Sequence, residues 1–356
     1  MTIKSLQLTN FRNWTDYTLK FSDVTILIGH NGVGKTNIVE AIWFLATGKS
    51  WRTSRDAEAV NWTTDIARIV AELTDGRKTK LEFVLQKLAT RDYPQTKLIK
   101  INGSKSRLFD LLGLIPAVLF SPETIEMLDG APGLRRRFLD ILLVHTDKQY
   151  TRTLLEYNKI LKERNKLLAL IRNKRGKADE LEFWDAKLVE TGCFIIDRRV
   201  ASIKFMNQYL TADYQEISGT KETLKLKYKG SVEKDVFADM LVGVREREIE
   251  LGSTLYGPHR DDFTINLNDR DISTFGSRGE YRSAVLALKV AELKYLKDLR
   301  GESPILLLDD IFSELDSERR LHLAKIVHNQ QTIITTTDLD HIEKGLRDKA
   351  KIVEIS

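Results

Sequence analysis

Apolar positions near the start of the chain change from the period of a strand to that of a helix. The run over 24–28 is apolar and β-branched, as in a buried strand, and 37–45 has apolar residues at helical spacing. Further strand-like segments occupy 66–73, 81–85 and 98–101, the last followed by an Asn102-Gly103 turn. The pattern predicts an α/β unit accompanied by antiparallel strands.

Long, charged helical patterns replace these strands between about 135 and 210. The first has leucine and isoleucine residues three or four positions apart, from Leu154 to Ile171. A polar turn over 173–177 separates it from a second periodic run, between Leu181 and Val200. The economical prediction is an antiparallel helical arm whose helices each reach roughly 40–50 Å at about 1.5 Å per residue.

Strand patterns return in the last third of the chain, at 224–228 and 263–267. A helix is predicted from about Glu280 to Leu299, and an apolar strand follows in Pro304-Ile-Leu-Leu-Leu-Asp-Asp310. The sequence contains no internal repeat and no low-complexity linker.

Composition narrows the class of protein only slightly. The 356 residues are 42% hydrophobic, which supports a sizeable core, and the net charge of +5 permits a polyanionic partner without requiring one. A single cysteine, Cys193, excludes an internal disulfide and fits a reducing compartment. Because no apolar run approaches the roughly 20 residues that span a bilayer, we expect a soluble, cytoplasmic protein with no membrane partner.

The segment after the first strand, Gly29-His-Asn-Gly-Val-Gly-Lys-Thr36, has the composition of a phosphate-binding loop. Its glycines allow close approach of backbone N–H groups to phosphate oxygens, Lys35 can reach the β- and γ-phosphates, and the Thr36 hydroxyl is placed to ligate Mg²⁺. The nucleotide-binding residues predicted here are Gly29, His30, Asn31, Gly32, Val33, Gly34, Lys35, Thr36 and Asn37.

Two acids end the late apolar strand. Asp309 has the position of a carboxylate that holds Mg²⁺ through water, and Asp310 is placed to polarise an attacking water. A solvated strand end is the alternative explanation, but a phosphate-binding loop in the same chain favours function. Lys35, Asp309 and Asp310 are therefore the predicted catalytic residues.

A second glycine-containing segment, Phe275-Gly-Ser-Arg-Gly-Glu280, precedes a predicted helix. Free N–H groups and a partial positive charge at such an end can bind another face of a phosphate, which makes Ser277, Gly279 and Glu280 candidates for nucleotide contact. The alternative is an ordinary capped helix.

The order of these motifs, ending in Ser313-Glu-Leu-Asp316, resembles that of the ATP-binding-cassette (ABC) ATPases. A narrower resemblance, to the RecF family of bacterial recombination-repair proteins, covers almost the whole chain. It rests on Asn10-Phe-Arg-Asn13, Phe120-Ser-Pro-Glu123, Pro132-Gly-Leu-Arg-Arg-Arg-Phe-Leu-Asp140, Tyr256-Gly-Pro-His-Arg-Asp-Asp262 and Leu308-Asp-Asp310.

The resemblance implies an α/β fold, with an ABC-type P-loop ATPase head, an added antiparallel β region and an inserted α-helical arm. The expected segments are 1–125, the N-terminal part of the head, 126–249, the arm, and 250–356, the C-terminal part of the head. In such heads ATP lies between two protomers, so the loop of one chain would face Ser277 and Gly279 of the other.

The resemblance also assigns roles to residues outside the loops. It places Arg12 and Asn13 near the nucleotide, Glu123 where Mg²⁺ is sensed, and Asp316 in the D-loop. Thr337 lies in the Thr335-Thr-Thr-Asp338 segment, where transporter cassettes carry a switch histidine, and no histidine is present there. Asp310 stands where many cassettes have the longer glutamate, which favours slow hydrolysis.

The functional expectation is an ATP-dependent DNA clamp of recombinational repair. By resemblance, the chain dimerises with ATP on double-stranded and gapped DNA and, with RecO and RecR, promotes RecA loading; its ATPase is weak and DNA-dependent. The arm is rich in lysine and arginine but also in acids, so a solvated face remains an alternative to DNA contact. No base-reading motif is present, which predicts backbone recognition and strong salt dependence.

Two functions from other classes remain to be compared. A transporter ATPase subunit would need a transmembrane partner and a switch histidine, and the sequence provides neither. A passive DNA-binding protein with nucleotide as a fold cofactor is disfavoured by Asp309 and Asp310. His259 and Arg260 are explained equally well by a role in packing and ion pairs as by a functional role.

Overall fold

The computed structural model describes residues 1–87, 96–126 and 130–356. By their internal contacts they form two compact units, Met1–Glu126 with Glu292–Ser356, and Met127–Ala291. The second boundary lies later than the residue 250 that we expected, because strands on either side of that position pair with each other and so belong to one unit.

The strands are β1 Thr2–Phe11, β2 Trp14–Lys20, β3 Val24–Ile28, β4 Ile66–Thr74, β5 Lys78–Gln86, β6 Thr96–Ile101, β7 Ser104–Ser106, β8 Ala117–Phe120, β9 Leu224–Lys229, β10 Asp262–Leu267, β11 Arg270–Asp271, β12 Ile305–Asp309, β13 Thr332–Thr336 and β14 Lys351–Glu354. The helices are α1 Lys35–Thr47, α2 Leu108–Leu111, α3 Pro122–Glu126, α4 Pro132–Thr146, α5 Lys148–Arg172, α6 Leu181–Ser218, α7 Phe237–Gly243, α8 Arg245–Leu251, α9 Ile272–Phe275, α10 Arg278–Arg300, α11 Ile311–Glu314, α12 Ser317–Val327 and α13 Lys344–Arg347.

A parallel sheet with the order β14-β3-β13-β12-β8 forms the centre of the first unit. Strands β12 and β13 are buried along their whole length, and β3 along all but its last residue, as continuous apolar runs in parallel sheets require. Because parallel strands end at the same edge, the segments that follow β3, β8, β12 and β13 all begin at one edge of this sheet.

An antiparallel sheet with the order β2-β1-β4-β5-β6-β7 belongs to the same unit. The predicted strands β4, β5 and β6 are confirmed, and the Asn102-Gly103 turn joins β6 to β7 with both residues at positive φ, 51° and 83°. Helix α1 contacts strands of both sheets, which explains why nearly all its side chains are buried.

The second unit contains the predicted arm. Helices α5 and α6 pack against each other and are joined by a polar turn, as expected. Helix α6 has 38 residues, about 57 Å, and exceeds the expected length because buried apolar positions continue through Met206, Leu210 and Tyr214. Beside it lies a small sheet with the order β11-β10-β9. Among the described helices, none combines the length and apolar content that crossing a membrane requires.

Candidate functional site

The glycine-rich segment forms a tight loop between β3 and α1, as the sequence predicts. A Cβ at Gly29 would lie 2.2 Å from the Ile355 carbonyl oxygen, and one at Gly34 would lie 2.6–2.9 Å from atoms of Asn13 and Trp14. Gly34 also has a φ of 112°, in the region that L side chains avoid. Close packing therefore requires glycine at both positions, and at Gly34 the backbone conformation requires it as well.

Lys35 begins α1 and is buried beneath the loop. Its Nζ donates hydrogen bonds to the carbonyl oxygens of Gly29 and His30, at 2.7 and 2.8 Å. Burial lowers the pKa of Lys35, while the nearby carboxylates of Asp309 and Asp310 act in the opposite direction. The loop thus holds an ammonium group against its own carbonyls, where phosphate oxygens can replace them.

Asp309 ends β12 and contacts the loop directly. Its Oδ1 accepts hydrogen bonds from the hydroxyls of Thr36 at 2.9 Å and Thr335 at 2.8 Å. Burial raises the pKa of Asp309 to about 6, which the two hydroxyls partly offset and the charge of Glu123 reinforces. Residues separated by 273 positions therefore meet, as the sequence predicts for the two halves of a nucleotide site.

The residues present fit a Mg²⁺ ion that is bound with nucleotide. Within the described residues, no three histidine, cysteine, aspartate or glutamate side chains form a group that could hold a metal by themselves. Mg²⁺ commonly takes one or two carboxylates and completes its octahedron with phosphate oxygens and water. Thr36 and Asp309 meet this requirement together, and Glu123 is exposed in helix α3, which follows the adjacent strand β8.

Asp310 adopts a left-handed backbone conformation, with a φ of 50°. Its backbone N–H donates to the Thr335 hydroxyl at 2.9 Å, so one threonine supports both acids. Although Asp310 stands at the N-cap of α11, its side chain does not cap that helix. Burial raises the pKa of Asp310, against the effect of Lys35. The carboxylate is available for chemistry beside the loop.

The turn between β1 and β2 packs against the phosphate-binding loop. Asn13 Nδ2 donates to the Val33 carbonyl at 2.9 Å, and Asn37 Nδ2 donates to Asn13 Oδ1 at 2.7 Å. Arg12 makes a bidentate pair with the fully buried Glu40, at 2.6 and 2.9 Å. Asn13, which we expect near the nucleotide together with Arg12, thus contacts the loop, and Arg12 contacts α1, the helix that follows the loop.

A cavity of about 370 Å³ adjoins this turn. It is lined by Arg12, Asn13, Asn37, Arg52, Glu58, Asn61, Trp62 and Thr63. Arg52 donates to Asn37 Oδ1 at 2.7 Å, and the side chain of Trp62 is almost fully exposed. The cavity thus offers cationic, amide and aromatic groups next to the phosphate-binding loop.

The second predicted segment forms a capping box in the second unit. The Ser277 N–H donates to Glu280 Oε2 at 2.6 Å, and the Glu280 N–H donates to Ser277 Oγ at 3.3 Å. Within one chain, these contacts are those of an ordinary capped helix, the alternative considered above. Gly279 lies in the first turn of the same helix, α10.

The remaining predicted site residues have varied positions. Asp316 caps α12 by accepting a hydrogen bond from the Arg319 N–H at 3.0 Å. Thr337 is exposed just beyond β13, whereas Thr335 within β13 makes the contacts to both acids. Within the loop, His30, Asn31 and Gly32 are exposed at its tip.

His259 is a packing residue of the second unit. Its Nδ1 lies 2.6 Å from the hydroxyl of Tyr157 and its Nε2 lies 3.2 Å from the Thr254 carbonyl oxygen. Burial lowers the pKa of His259 to about 4. Arg260 also points to the Thr254 carbonyl, at 3.2 Å.

Several residues of the site were not predicted from the sequence. They are Trp14, whose Nε1 donates to the Gly34 carbonyl, Glu40 and Arg52 of the cluster around Arg12, and Thr335. One signal was available for Glu40, since an acid in a helix that is otherwise apolar on all sides needs a buried partner.

Comparison with known proteins extends the likeness to the whole chain. Residues 2–355 match the sequence family described as the RecF/RecN/SMC N-terminal domain. A DNA replication and repair protein RecF of Clostridium perfringens is 38% identical, over all of this chain and 98% of the relative. The RecF of Halalkalibacterium halodurans is 37% identical with the same coverage.

Solved structures of RecF and of a related head domain are also similar to this chain. The recombination mediator protein RecF in complex with ATP superposes with a TM-score of 0.87 at 34% identity, over 96% of this chain and 93% of that one. The Smc head domain of Pyrococcus furiosus, at 16% identity and a TM-score of 0.54, shares the fold. The site is thus set in an ABC-type ATPase head with an antiparallel sheet and a helical arm, and the chain belongs to the RecF family of the RecF/RecN/SMC N-terminal domain proteins.

Proposed function

We propose that this protein is an ATPase of DNA repair whose nucleotide state controls its assembly on DNA. The observation that carries the proposal is the hydrogen bond of Thr36 to Asp309, beside the buried Lys35, because it joins both halves of a phosphate-and-Mg²⁺ site. A relative that is 34% identical over nearly the same length has been solved with ATP. A passive fold cofactor would not require the second carboxylate, Asp310.

The proposed nucleotide position follows from the groups around the loop. The loop N–H groups and Lys35 bind the phosphates. Asn13 stabilises the loop through its hydrogen bond to the Val33 carbonyl, and Asn37 in turn holds Asn13. The nucleoside lies in the adjoining cavity, where Arg12 and Arg52 supply positive charge and Trp62 a ring surface. Thr36 and Asp309 would hold Mg²⁺, with the charge of Glu123 nearby, and the bound ion would supply positive charge to the phosphates.

Hydrolysis in this proposal is slow. Water attacks the γ-phosphate in line with the leaving ADP, and Asp310 orients that water by accepting a hydrogen bond from it. The aspartate side chain is one methylene shorter than glutamate, so it holds the water less closely. Turnover at tens per second would contradict a timed release step.

The complete site requires a second copy of the chain. In the proposed dimer, the loop of one protomer faces Ser277, Gly279 and Glu280 of the other, and Asp316 lies near that contact. The capping box fixes the conformation of the first turn of α10, and the partial positive charge at this helix end favours a phosphate there. Two ATP molecules are then bound per dimer, and their hydrolysis releases it.

The proposed partners are double-stranded and gapped DNA, RecR with RecO, and RecA. The names of the relatives, DNA replication and repair protein RecF and a recombination mediator of the RecFOR pathway, support this assignment. Arm residues with exposed positive charge, including Lys159, Lys174, Arg175 and Lys177, are candidates for backbone contact.

The experiment that tests the proposal is binding to gapped duplex DNA with ATP, with ADP and without nucleotide. In the wild type, only ATP should give tight binding. Lys35→Arg should lose the response, because a planar guanidinium cannot replace a compact ammonium under this loop, while the exposed Lys20→Arg should keep it. Binding that is indifferent to nucleotide would favour the passive DNA-binding protein instead.

A further inference from the structure

Strand β9 of the second unit carries a row of lysines on one face. The exposed residues of this strand are Lys225, Lys227 and Lys229. Leu224 and Leu226 alternate with them and are buried, and β9 packs against α6. Because successive side chains of a strand point to opposite faces, the two leucines face the core and the three lysines share the outer face.

Two of these lysines carry uncompensated charge. Within the described residues, the side chains of Lys225 and Lys227 make no hydrogen bond, ion pair or ring contact. Their cross-strand neighbours on β10 are Asn266 and Thr264. Opposite charges across a pair of strands stabilise a sheet, whereas like charges destabilise it. Here two ammonium groups lie on one face beside neutral hydrogen-bonding groups, without the acids that would balance them.

The third lysine of the row has acids near it. Lys229 Nζ lies 4.0 Å from a carboxylate oxygen of Asp271, and its cross-strand neighbour is Asp262. Asp262 in turn forms a bidentate pair with Arg135, at 2.7 and 2.8 Å. The free positive charge of the row is therefore that of the first two lysines.

Protection of a sheet edge does not explain these lysines. Lysine is common on edge strands because its charge prevents pairing with another chain, and β9 is the last strand of the order β11-β10-β9. Helix α6, however, already satisfies this edge. The Leu226 N–H donates to Asn207 Oδ1 at 2.8 Å, and Asn207 Nδ2 donates to the Leu226 carbonyl at 2.9 Å. Thr211 Oγ1 donates to the Leu224 carbonyl at 2.8 Å. These contacts also fix the backbone that carries the lysines.

The spacing of the row fits the backbone of duplex DNA. Alternate residues of an extended strand lie about 6.8 Å apart, and two nucleotides of one DNA strand advance about 6.8 Å along the helix axis. Thr264 and Asn266 place a hydroxyl and an amide beside the ammonium groups. Ammonium, hydroxyl and amide groups are all common donors to DNA phosphates. The outer face of β9 and β10 therefore has both the charge and the spacing for phosphate contacts.

We propose that the lysine face, formed by Lys225, Lys227, Thr264 and Asn266, binds the phosphate backbone of duplex DNA. The inference rests on the proposed DNA-repair function and gives that function a contact surface outside the arm helices α5 and α6. Phosphate contacts position a duplex without reading its sequence. None of the four residues is aromatic, so the face lacks the stacking surface that single-stranded DNA requires and binds the duplex part of a gapped substrate.

The test measures how binding to gapped duplex DNA depends on salt in the presence of ATP. Each lost lysine–phosphate contact should reduce the slope of log K against log salt by about 0.9. The double variant Lys225→Gln with Lys227→Gln should therefore lose about 1.8 of the slope, while Lys225→Arg with Lys227→Arg should keep it. The control is Lys344→Gln with Lys349→Gln, which makes the same change in net charge at exposed positions of the first unit and should leave the slope unchanged.

A second measurement uses the unaltered protein, so it does not depend on the folding of a variant. Lysines are acetylated with an amine-reactive reagent in the presence of ATP, and the modified positions are read by mass spectrometry. Gapped duplex DNA should protect Lys225 and Lys227 from acetylation, whereas an oligothymidylate of the same length should not. Lys344 should react equally in every sample. Lysines that act only within the folded chain would react alike with and without DNA.

The outcomes distinguish this inference from the function on which it rests. Failure of the wild type to bind gapped duplex with ATP would overturn the proposed function itself. Binding by the wild type, with an unchanged slope in the glutamine variant or with Lys225 and Lys227 still reactive, would overturn the lysine face alone and assign DNA contact to another surface. Equal protection by the oligothymidylate would overturn the choice of duplex DNA as the ligand.

Discussion

At the scale of single residues, Thr335 shows how the site depends on groups without chemistry of their own. Its hydroxyl donates to Asp309 Oδ1 and accepts from the Asp310 N–H, so one side chain fixes both acids. Threonine was visible in the sequence at this position, but the pattern did not distinguish Thr335 from Thr336 or Thr337. Only the register of β13 against β12, with Thr335 opposite Asp309, makes that distinction.

Replacing Thr335 with valine should therefore weaken both folding and Mg²⁺-dependent nucleotide binding. The shape is kept, but Asp309 loses one of its two hydroxyl donors and the Asp310 N–H is left unpaired, which costs about 1–3 kcal/mol of unfolding free energy. Thr335→Ser retains the hydroxyl and is the matched control. Urea denaturation and ATP titrations with and without Mg²⁺ provide the measurement. Equal behaviour of the two variants would contradict the account.

A second residue-scale prediction concerns acid sensitivity through His259. Its folded pKa of about 4 is below the value of about 6.5 expected in the unfolded chain, because burial disfavours the charged ring. Its stabilising contribution is therefore complete above pH 6.5 and is lost as the pH falls through 4. Between these values the unfolding free energy should fall by about 1.4 kcal/mol per pH unit from this group.

Urea denaturation at several pH values, for the wild type and His259→Gln, isolates that contribution. Glutamine can still meet the Tyr157 hydroxyl but does not titrate, so the difference between the two proteins should shrink steadily from pH 6.5 to pH 4. A difference that stays constant over this range would show that His259 does not become protonated on unfolding.

At the scale of elements, the spacing of apolar residues along the chain predicted the regular strands and helices. This spacing predicted strand β3, helix α1, strands β4 to β6 and the two arm helices. Each of these elements buries one continuous face or one continuous apolar run. The strand pair β1 and β2 was not predicted as such. Left-handed backbone at Asn10 and Arg12 shapes its turn, and only that turn brings Arg12 to Glu40.

The arm also contains a polar cluster that no pattern of hydrophobicity reveals. Arg164 of α5 is fully buried, and it donates to Asp185 of α6 and Glu248 of α8, both at 2.7 Å, as well as to Thr254 at 2.8 Å. One guanidinium thus ties together the three helices α5, α6 and α8 and the segment that contains Thr254. Burial of a charge is tolerated here because each donor has an acidic or hydroxyl partner.

Arg164→Ala should destabilise the arm strongly. It leaves two carboxylates without their shared cation, so the unfolding free energy should fall by roughly 3–5 kcal/mol. Arg175→Ala, at an exposed residue in the turn after α5, should change it by less than about 0.5 kcal/mol. Denaturation followed by circular dichroism gives both values. A small effect of Arg164→Ala would mean that water satisfies the two acids in its place.

At the scale of the whole molecule, the net charge of +5 and the absence of a base-reading motif in the sequence predict recognition of the DNA backbone. Affinity for gapped duplex in the presence of ATP should then fall about tenfold or more between 50 and 200 mM salt. Fluorescence anisotropy across that range measures the slope. An affinity that does not change with salt would contradict backbone recognition.

Self-association is the property that the sequence and the contacts of a single chain predict least. Ser277 and Glu280 satisfy each other within a single chain, so their contacts carry no sign of a second protomer. The proposal of a nucleotide site shared by two protomers therefore rests on the phosphate-binding loop, on Asp309 and Asp310, and on membership of the RecF family. It has one necessary consequence. ATP binding, before hydrolysis, must drive self-association.

Sedimentation velocity tests this ATP-driven self-association most directly. The wild type, Lys35→Arg and Asp310→Asn are each measured with ATP and without nucleotide. The account predicts monomers without nucleotide, a dimer of the wild type with ATP, a longer-lived dimer of Asp310→Asn because hydrolysis is blocked, and no dimer of Lys35→Arg. The same sedimentation coefficient in every condition would contradict it.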